Sequence, residues 1–386
     1  MKARIVHVLS SFGMGGQERV AFDLAVSQLR AGCEVTVLSL APPPDGPLAA
    51  ELRAAGIEVA RVARQREGID PILILRLARW LRRHRVDLVH THNRMALIYG
   101  APAGRLARAR VVHTKHGKNP RGGTRLAAGK LAARAVDAFV AVSDETADVA
   151  RRRREIDERR LMVITNGIEL GRFHPAPAGR ERVRRELGID AGAWVIGTVG
   201  RIAAEKNHAL LVNAMAPLLG PGTRLIIAGD GPLLPALTEL VAARGVASFV
   251  HLLGARYDVP DILNALDSFV LSSDTEGLPL VVLEAMATGL PVISTRVGGV
   301  PNVLEEGVTG FLVPAGDEQG LRDRAAQLRA DPAATRALGE RARSVAVSRY
   351  SAERMQRDYL ELYARVLAPE PWYVVSKRDV RDRRSL

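Results

Sequence analysis

Two cations lie in a loop of the second half of the chain, where a predicted β-strand gives way to a helix. Arg201 and Lys206 stand in the stretch GTVGRIAAEKN, between the predicted strand 194–199 and a helix expected to begin near Asn207. Cations five residues apart in one loop can both reach a diphosphate and neutralise the charge that develops on it as it departs. We therefore favour a diphosphate-binding loop over a pair of solvated surface residues.

A pair of glutamates follows a later predicted strand, in the stretch SSDTEGLPLVVLEAM (residues 272–286). Glu276 lies in a loop ahead of Pro279, and Glu284 falls inside the next helix. If both were helical they would be roughly 12 Å apart, too far for the ~5 Å carboxylate pair of a retaining glycosidase. We expect Glu276 to accept hydrogen bonds from sugar hydroxyls, and Glu284 to face inward from an apolar helix and bind a ligand such as a ribose diol. The alternative is an ordinary helix charge plus an ion-paired core glutamate.

Glycines and helix starts offer further places where the backbone could approach an anion. Free N–H groups near Leu280 and Val281 begin the helix after the glutamate loop and could bind phosphate. Gly229 opens the turn GDGP after the predicted strand 224–228, which could admit part of a nucleotide or be a plain turn. The loop SSFGMGG after the first strand fits an anion site and a tight turn equally, and it departs from the GxGxxG fingerprint of nicotinamide enzymes.

Four histidines end two neighbouring predicted strands, His90 and His92 on one and His113 and His116 on the other. Clustered histidines can bind zinc. No cysteine or well-placed carboxylate accompanies these four in the sequence, so we expect no metal site. We predict that His116, beside a glycine in HTKHGKN, contacts substrate, and that His90 and His113 are buried within their strands.

Short β-rich runs alternate with helical patterns from end to end, which is typical of an α/β protein with βαβ units around parallel sheets. The predicted strands span residues 4–9, 34–38, 87–91, 110–114, 137–142, 162–165, 194–199, 224–228, 249–252, 268–271, 291–294 and 310–313. The Gly- and Pro-rich residues 166–179 are predicted to form a linker. We expect two doubly wound domains, 1–170 and 171–350, with paired helices over 318–347 and a long helix from Ser351.

Length and composition agree with that division. The chain has 386 residues, more than one hydrophobic core usually supports. Its single cysteine, Cys33, interpreted as a buried residue in a strand, fits a reducing compartment. The first apolar stretch is too short for a signal peptide, and no run approaches the roughly 20 residues that span a bilayer. We therefore expect a cytoplasmic protein.

Charge is distributed unevenly along the chain. Residues 1–170 carry 29 Lys or Arg against 17 Asp or Glu, whereas residues 171–386 carry 26 against 25. A basic first half could dock on the anionic inner face of a membrane, although an arginine bias of composition would give the same balance. Nucleic-acid binding is disfavoured because the basic runs contain no interleaved aromatic residues.

Taken together, the motifs resemble those of one large family, the retaining, metal-independent glycosyltransferases called family 4 or glycosyl transferase group 1. Members of this family have two Rossmann-like domains facing a central cleft (GT-B). The resemblance covers nearly the whole chain. It depends on GMGGQE, VGRIAAEKN, AGDGP, EGLPLVVLEAMATGLPVI and GGVPNVL followed by GFLVP. It implies a nucleotide diphosphate sugar as donor, no cofactor, and a glycan, lipid-linked or small-molecule acceptor, and we favour UDP because uridine is common.

The resemblance implies roles for particular residues of the second domain. Arg201 and Lys206 match the donor diphosphate pair, Glu284 the ribose ligand, and Glu276 the carboxylate that positions the donor sugar. We expect Gly229 to belong to the nucleoside site.

In the first domain, the resemblance implies that Gly16 contacts the phosphates and that His116 lies near the transferred sugar. Gly15 and Asn93 are expected on the acceptor side. The long helix, 351–386, would cross back onto this domain. Front-face displacement with retention, in which the leaving phosphate takes the acceptor proton, is the hypothesis for the reaction.

Two alternatives remain open at this stage. A nucleotide-sugar epimerase can use the same fold without an acceptor. A non-catalytic nucleotide-sugar-binding protein would keep the site without turnover, but the intact set of Arg201, Lys206, Glu276 and Glu284 favours an enzyme.

Overall fold

A computed structural model describes residues 2–13, 15–65, 69–117 and 124–368. The chain divides into two compact units. The first comprises Met1–Thr165 and Met355–Leu386, and the second comprises Asn166–Arg354. In the part of the chain that the structure describes, no helix is long and apolar enough to cross a membrane.

The first unit is built on a parallel sheet of seven strands. These are β1 Arg4–Leu9, β2 Glu34–Ser39, β3 Glu58–Arg61, β4 Leu88–His92, β5 Arg110–Lys115, β6 Ala138–Ala141 and β7 Leu161–Val163. Their order across the sheet is β3-β2-β1-β4-β5-β6-β7. Strands β1, β4, β5 and β6 are almost entirely buried, as expected for a parallel sheet covered on both faces.

Six helices connect these strands and cover the sheet. They are α1 Gly16–Arg30, α2 Leu48–Ala54, α3 Pro71–Arg83, α4 Asn93–Leu106, α5 Thr124–Ala133 and α6 Asp144–Arg152. The side chains of α3 and α4 pack with β1 and β4 in one apolar cluster, whereas α4, α5 and α6 pack with β5 and β6 in a second.

The second unit repeats the architecture with six parallel strands. They are β8 Trp194–Val199, β9 Thr223–Ala228, β10 Val250–Leu252, β11 Ser268–Leu271, β12 Val292–Thr295 and β13 Gly310–Val313, in the order β10-β9-β8-β11-β12-β13. The helices are α7 Pro177–Glu186, α8 His208–Met215, α9 Leu234–Ala243, α10 Val259–Ala265, α11 Leu280–Ala287, α12 Glu318–Ala330 and α13 Pro332–Arg349. A last helix, α14 Ala352–Leu367, begins in the second unit and ends in the first.

The strand orders determine where ligands are expected to bind. In each sheet the winding direction reverses between the first strand of the unit and its neighbour, at β1 and β4 and again at β8 and β11. Ligands of doubly wound sheets bind outside the carboxyl ends of the strands at such switch points. The loops that leave these four strands are therefore the places to look for function.

Every predicted strand is present, and the prediction of two doubly wound α/β sheets is confirmed. Strand β3 was missed because EVAR is a short edge strand with no buried side chain. Part of the predicted linker is wrong, since α7 begins at Pro177, a residue that fits the first turn of a helix. Cys33 is buried, but it precedes β2 and does not lie in it. Of the predicted segment 351–386, residues 369–386 lie outside the described residues.

Candidate active site

An ion pair joins the loops that follow β8 and β11. Lys206 Nζ lies 2.6 Å from Glu276 Oε1, and Ser273 Oγ donates to the same oxygen at 2.6 Å. The Glu276 side chain is 9% exposed and that of Lys206 is 22% exposed, so both groups still reach solvent. Among the described residues, Glu276 Oε2 has no hydrogen-bond partner, which leaves one carboxylate oxygen able to accept from a ligand.

Backbone and side-chain contacts hold these two loops together. Lys206 ends a short 3-10 turn, and Asn207 adopts a left-handed conformation (φ 45°) and caps α8 by accepting from the Leu210 N–H. The Asn207 amide donates to Asp274 Oδ1 at 3.0 Å, and Ser272 Oγ donates to the Lys206 carbonyl at 3.1 Å. The position of the Lys206 ammonium is therefore set by the β11 loop as well as by its own.

Arg201 is the second residue after β8, at the start of the same loop. Its side chain is exposed, and within the described ranges it makes no ion pair or side-chain hydrogen bond. The structure thus brings Lys206 and Glu276 together but does not link Arg201 to either of them. An exposed guanidinium near a helix-flanked switch point can bind an anion bidentately.

The helix α11 carries the remaining donor-site residues predicted in this unit. No side chain caps its N-terminus at Pro279, so the N–H groups of Leu280 and Val281 point out of the first turn without a side-chain acceptor. Glu284 was predicted to face inward from α11, but in the structure it is half-buried. It shares its partly open face with Val281 three residues earlier, while the other α11 residues are buried. A carboxylate on this face is accessible to a ligand without the cost of full burial.

The predicted nucleoside residue Gly229 directly follows β9 in a conformation that only glycine adopts easily. Its φ is +150°, and its N–H donates to the Gly254 carbonyl at 2.8 Å. A Cβ at this position would collide with the backbone carbonyl of Gly200, which follows β8. The turn after β9 is thus packed directly against the loop that carries Arg201.

In the first unit, the predicted glycines start α1. Gly15 is the N-cap residue in an extended conformation, Gly16 is the first helical residue, and no side chain caps this end. Glu18, which the sequence reasoning did not single out, lies buried in the first turn, and burial raises the pKa of its carboxyl. A Cβ on Gly15 would lie 2.6 Å from a Glu18 carboxylate oxygen. The absence of a side chain at Gly15 therefore leaves room for the Glu18 carboxyl in the first turn of α1.

Asn93 and His116 contact each other after β4 and β5. Asn93 has a positive φ of 62°, and its Oδ1 accepts from the His116 backbone N–H at 3.1 Å. Its amide nitrogen donates to the Gln17 side chain. Burial lowers the pKa of His116 to about 3, so its imidazole is neutral. The structure thus places two of the predicted residues side by side at the switch point.

A buried histidine cluster lies behind His116. His116 Nε2 is 3.0 Å from His92 Nδ1, and His92 Nε2 is 2.9 Å from His7 Nδ1. His7 was missed because a single histidine in an apolar strand gives no sequence signal of its neighbours on β4. His90 and His113 are buried in their strands, as expected.

Three of these side chains, His7, His90 and His92, lie close enough to share a metal ion, with ligand atoms within 4.8 Å of one another. All six of their ring nitrogens have hydrogen-bond partners. Their partners are one another, His116, Gln28, Thr114 and Tyr363. A metal ion would have to displace these bonds, so the arrangement fits a hydrogen-bonded network better than a ligand set.

Two family models match the chain, one in each half. Residues 14–172 match the family described as Glycosyltransferase Family 4, and residues 179–345 match Glycosyl transferases group 1.

Similar proteins span most of the chain. An alpha-maltose-1-phosphate synthase of Mycolicibacterium smegmatis is 30% identical over 374 residues, which cover 89% of this chain and 94% of that protein. A UDP-Gal:alpha-D-GlcNAc-diphosphoundecaprenol alpha-1,3-galactosyltransferase of Escherichia coli is 32% identical over 257 residues, 63% of this chain and 66% of that protein.

Among solved structures, HepE of Anabaena in complex with UDP-glucose superposes with a TM-score of 0.85 at 26% identity, covering 94% of this chain and 99% of that one. The strand orders, the loops at the switch points and these matches agree with one another. The chain therefore belongs to the group 1 glycosyltransferases, nucleotide-sugar-dependent enzymes with the GT-B fold.

Proposed function

We propose that this chain is a retaining, metal-independent glycosyltransferase that transfers a sugar from a UDP-sugar to a lipid-linked or cell-envelope glycan, with no cofactor beyond the donor. The observation that carries the proposal is the Lys206–Glu276 pair at the carboxyl ends of β8 and β11. An ammonium held on a carboxylate, beside the uncapped start of α11, offers a diphosphate one cation and a set of N–H groups.

The roles of the second-unit residues follow from what each can reach. Lys206 and Arg201 would neutralise the diphosphate, together with the N–H groups of Leu280 and Val281. Glu284, on the partly open face of α11, would accept hydrogen bonds from the ribose hydroxyls. Glu276 would use its Oε2 for a donor-sugar hydroxyl while Oε1 keeps Lys206 in place.

Retention is proposed from the state of Glu276. Its Oε1 accepts from an ammonium and from a serine, which suits an orienting carboxylate better than a covalent nucleophile. The acceptor oxygen would attack the anomeric carbon from the face that the diphosphate leaves. The electron pair of the breaking C–O bond goes to the phosphate oxygen, which takes the acceptor proton. Two cations at the diphosphate supply the charge neutralisation that a metal provides in other transferases.

UDP is favoured by two of the similar proteins. The Anabaena structure contains UDP-glucose, and the Escherichia coli relative is named for a UDP-galactose donor. A thermal-shift panel of UDP, GDP and ADP, each with EDTA, tests this choice. We expect stabilisation by UDP alone, lost in Glu284→Ala and kept in Glu340→Ala, which removes an exposed glutamate of α13. Stabilisation by GDP or ADP only, or a requirement for a divalent cation, would contradict the donor proposed here.

The acceptor class is proposed from charge and from one relative. The first 170 residues carry the excess of 29 basic over 17 acidic side chains, and the Escherichia coli relative is named for a diphosphoundecaprenol acceptor. The Mycolicibacterium relative is named for a small sugar phosphate, so a soluble acceptor is the outcome to exclude. We expect co-sedimentation with phosphatidylglycerol vesicles and none with phosphatidylcholine vesicles. Equal sedimentation with both would count against a membrane-bound acceptor.

Stereochemistry is the sharpest test of the reaction itself. Proton NMR of the first product formed from an α-linked UDP-sugar should show an α-linkage. A β-linked product, or a sugar covalently attached to Glu276 in a trapped intermediate, would overturn the front-face route.

A further inference from the structure

A line of buried hydrogen bonds runs from α1 through the first sheet to His116. Gln28 Oε1 lies 2.8 Å from His7 Nε2, His7 Nδ1 lies 2.9 Å from His92 Nε2, and His92 Nδ1 lies 3.0 Å from His116 Nε2. Gln28, His7 and His92 are all at most 1% exposed. Gln28 is thus three hydrogen bonds away from the residue expected at the sugar.

Each imidazole in this line is neutral. Burial lowers the pKa of His7 to about 4 and that of His92 well below its usual range, and His116 is lowered likewise. A neutral imidazole carries one N–H and one acceptor nitrogen. Each ring must therefore donate on one side and accept on the other, and the choice at one ring decides the choice at the next.

The Gln28 amide fixes the direction of the line. Its Oε1 can only accept, so His7 donates from Nε2 and accepts at Nδ1. His92 must then donate from Nε2 and accept at Nδ1, and His116 must donate from Nε2. This leaves His116 Nδ1 as an acceptor, and Nδ1 has no partner among the described residues.

The nitrogen of the Gln28 amide begins a second branch of hydrogen bonds. Its Nε2 donates to Tyr363 Oη at 3.2 Å, and Tyr363 Oη lies 2.6 Å from His90 Nδ1, which lets the tyrosine donate to His90. His90 Nε2 then donates to Thr114 Oγ1 at 2.7 Å. Turning the amide over would reverse every donor along both branches, so one buried side chain sets the direction for the whole network.

We propose that Gln28 is a positioning residue that fixes His116 in the Nε2–H tautomer through His7 and His92, so that His116 presents Nδ1 as an acceptor to a hydroxyl of the substrate sugar. The sugar contact rests on the proposed function, whereas the tautomer does not. Gln28 itself touches no substrate. Its role is to make His116 an acceptor and not a donor, which selects a sugar hydroxyl that can donate at that position.

The tautomer can be observed without substrate. Protein labelled with ¹⁵N-histidine gives two-bond ¹H–¹⁵N correlations that distinguish a protonated from an unprotonated ring nitrogen. We expect Nε2–H with unprotonated Nδ1 for His7, His92 and His116 at pH 7.5. An Nδ1–H tautomer at His116 in the unaltered protein would overturn the proposal.

Variants of Gln28 separate positioning from packing. Gln28→Leu removes the acceptor, and we expect the His116 signals to move toward the Nδ1–H form while kcat/KM falls about five- to tenfold, the size of one lost neutral hydrogen bond. Gln28→Glu restores the pattern, because a buried carboxylic acid accepts on one oxygen and donates from the other. It should recover both the tautomer and most of kcat/KM.

Tyr363→Phe is the matched control, since it removes a buried hydrogen bond to Gln28 but leaves the His7 branch intact. It should lower thermal stability as much as Gln28→Leu does, without changing the His116 tautomer. If Gln28→Leu leaves the tautomer unchanged, or if Tyr363→Phe changes it equally, the positioning role is wrong even where transfer from UDP-sugars is observed. Conversely, absence of transfer with the expected tautomers would refute the proposed function alone.

Discussion

The second unit holds charged side chains at the carboxyl ends of its switch-point strands, whereas the first unit holds neutral imidazoles within β1 and at the end of β4. Lys206 and Glu276 stay 22% and 9% exposed, and Arg201 is exposed outright. His7 and His92 are fully buried. The two units have the same winding, so topology fixes where the sites lie and leaves their chemistry to the loops.

The difference follows from the cost of burying charge. An isolated charge in a dry interior is far more costly than a neutral hydrogen-bonded group. A site for a diphosphate must keep its cations partly solvated until the ligand arrives. A site that recognises hydroxyl groups can be neutral, and it can therefore be buried and made rigid by a network of hydrogen bonds.

The largest effect is expected from removing the charge of Glu276 in the second unit. Glu276→Gln keeps the shape of the side chain but removes the charge that holds Lys206, and a preorganised group of this kind contributes about 10²- to 10³-fold to kcat. We expect kcat to fall by that amount. Glu318→Gln is the control, because Glu318 forms an ion pair of the same 2.6 Å length with Arg322 on α12. Similar losses in both variants would show that Glu276 acts on stability and not on the reaction.

Acid is expected to destabilise the buried histidine network of the first unit. The pKa of His7 is about 4 in the folded protein against its usual 6.5, so the unfolded chain binds more protons between these values. The free energy of unfolding therefore has its full value above about pH 6.5 with respect to His7. It decreases as the pH falls toward 4, by on the order of 3 kcal/mol for His7 alone. Urea unfolding at pH 7.5 and pH 5.0 measures the part of this loss that occurs above pH 5.0.

Variants assign the acid effect to its source. His7→Gln removes one of the groups that must be protonated, so the difference in unfolding free energy between pH 7.5 and pH 5.0 should become smaller. In the second unit, His251 is half-buried and its pKa is lowered less markedly, so His251→Gln should change that difference little. An unchanged pH dependence in His7→Gln would mean that His7 is not the group that titrates.

A smaller effect is expected at the turn that supports the charged site. Gly229→Ala forces a Cβ onto the Gly200 carbonyl at φ +150°, and a strained backbone of this kind costs about 1–3 kcal/mol. We expect a lower melting temperature and weaker stabilisation by UDP. Gly200→Ala serves as the control, because nothing lies within 4 Å of a Cβ there. Equal melting temperatures for the two variants would show that the Gly229 conformation carries no cost.

The fold and the charged site were predictable because their signals are local. Strand β8 and the loop with Arg201 and Lys206 are contiguous in sequence, and the motif around Glu276 spans only a few residues. The orientation of Glu284 was not, since a short apolar helix does not reveal which of its faces is covered. The orientation of Glu284 is decided by the packing of α11 against elements that are distant in sequence.

The neutral network was beyond sequence reasoning for a different reason. Gln28 and Tyr363 are 335 residues apart, and each occupies an ordinary position on an amphipathic helix. Their bond exists only because α14 returns to the first unit. The predicted histidines His90, His92 and His116 were visible in sequence, but His7, Gln28 and Tyr363, which join them into one network, were not.

The most direct test of the division between a charged and a neutral site is a calorimetric titration of UDP against two variants, Lys206→Met and His116→Ala. We expect Lys206→Met to weaken UDP binding by about tenfold or more, since it removes a charge-assisted bond to phosphate. We expect His116→Ala to bind UDP as the unaltered protein does but to lose transfer. Weakened UDP binding in His116→Ala, with unchanged binding in Lys206→Met, would contradict the division of roles between a charged and a neutral site.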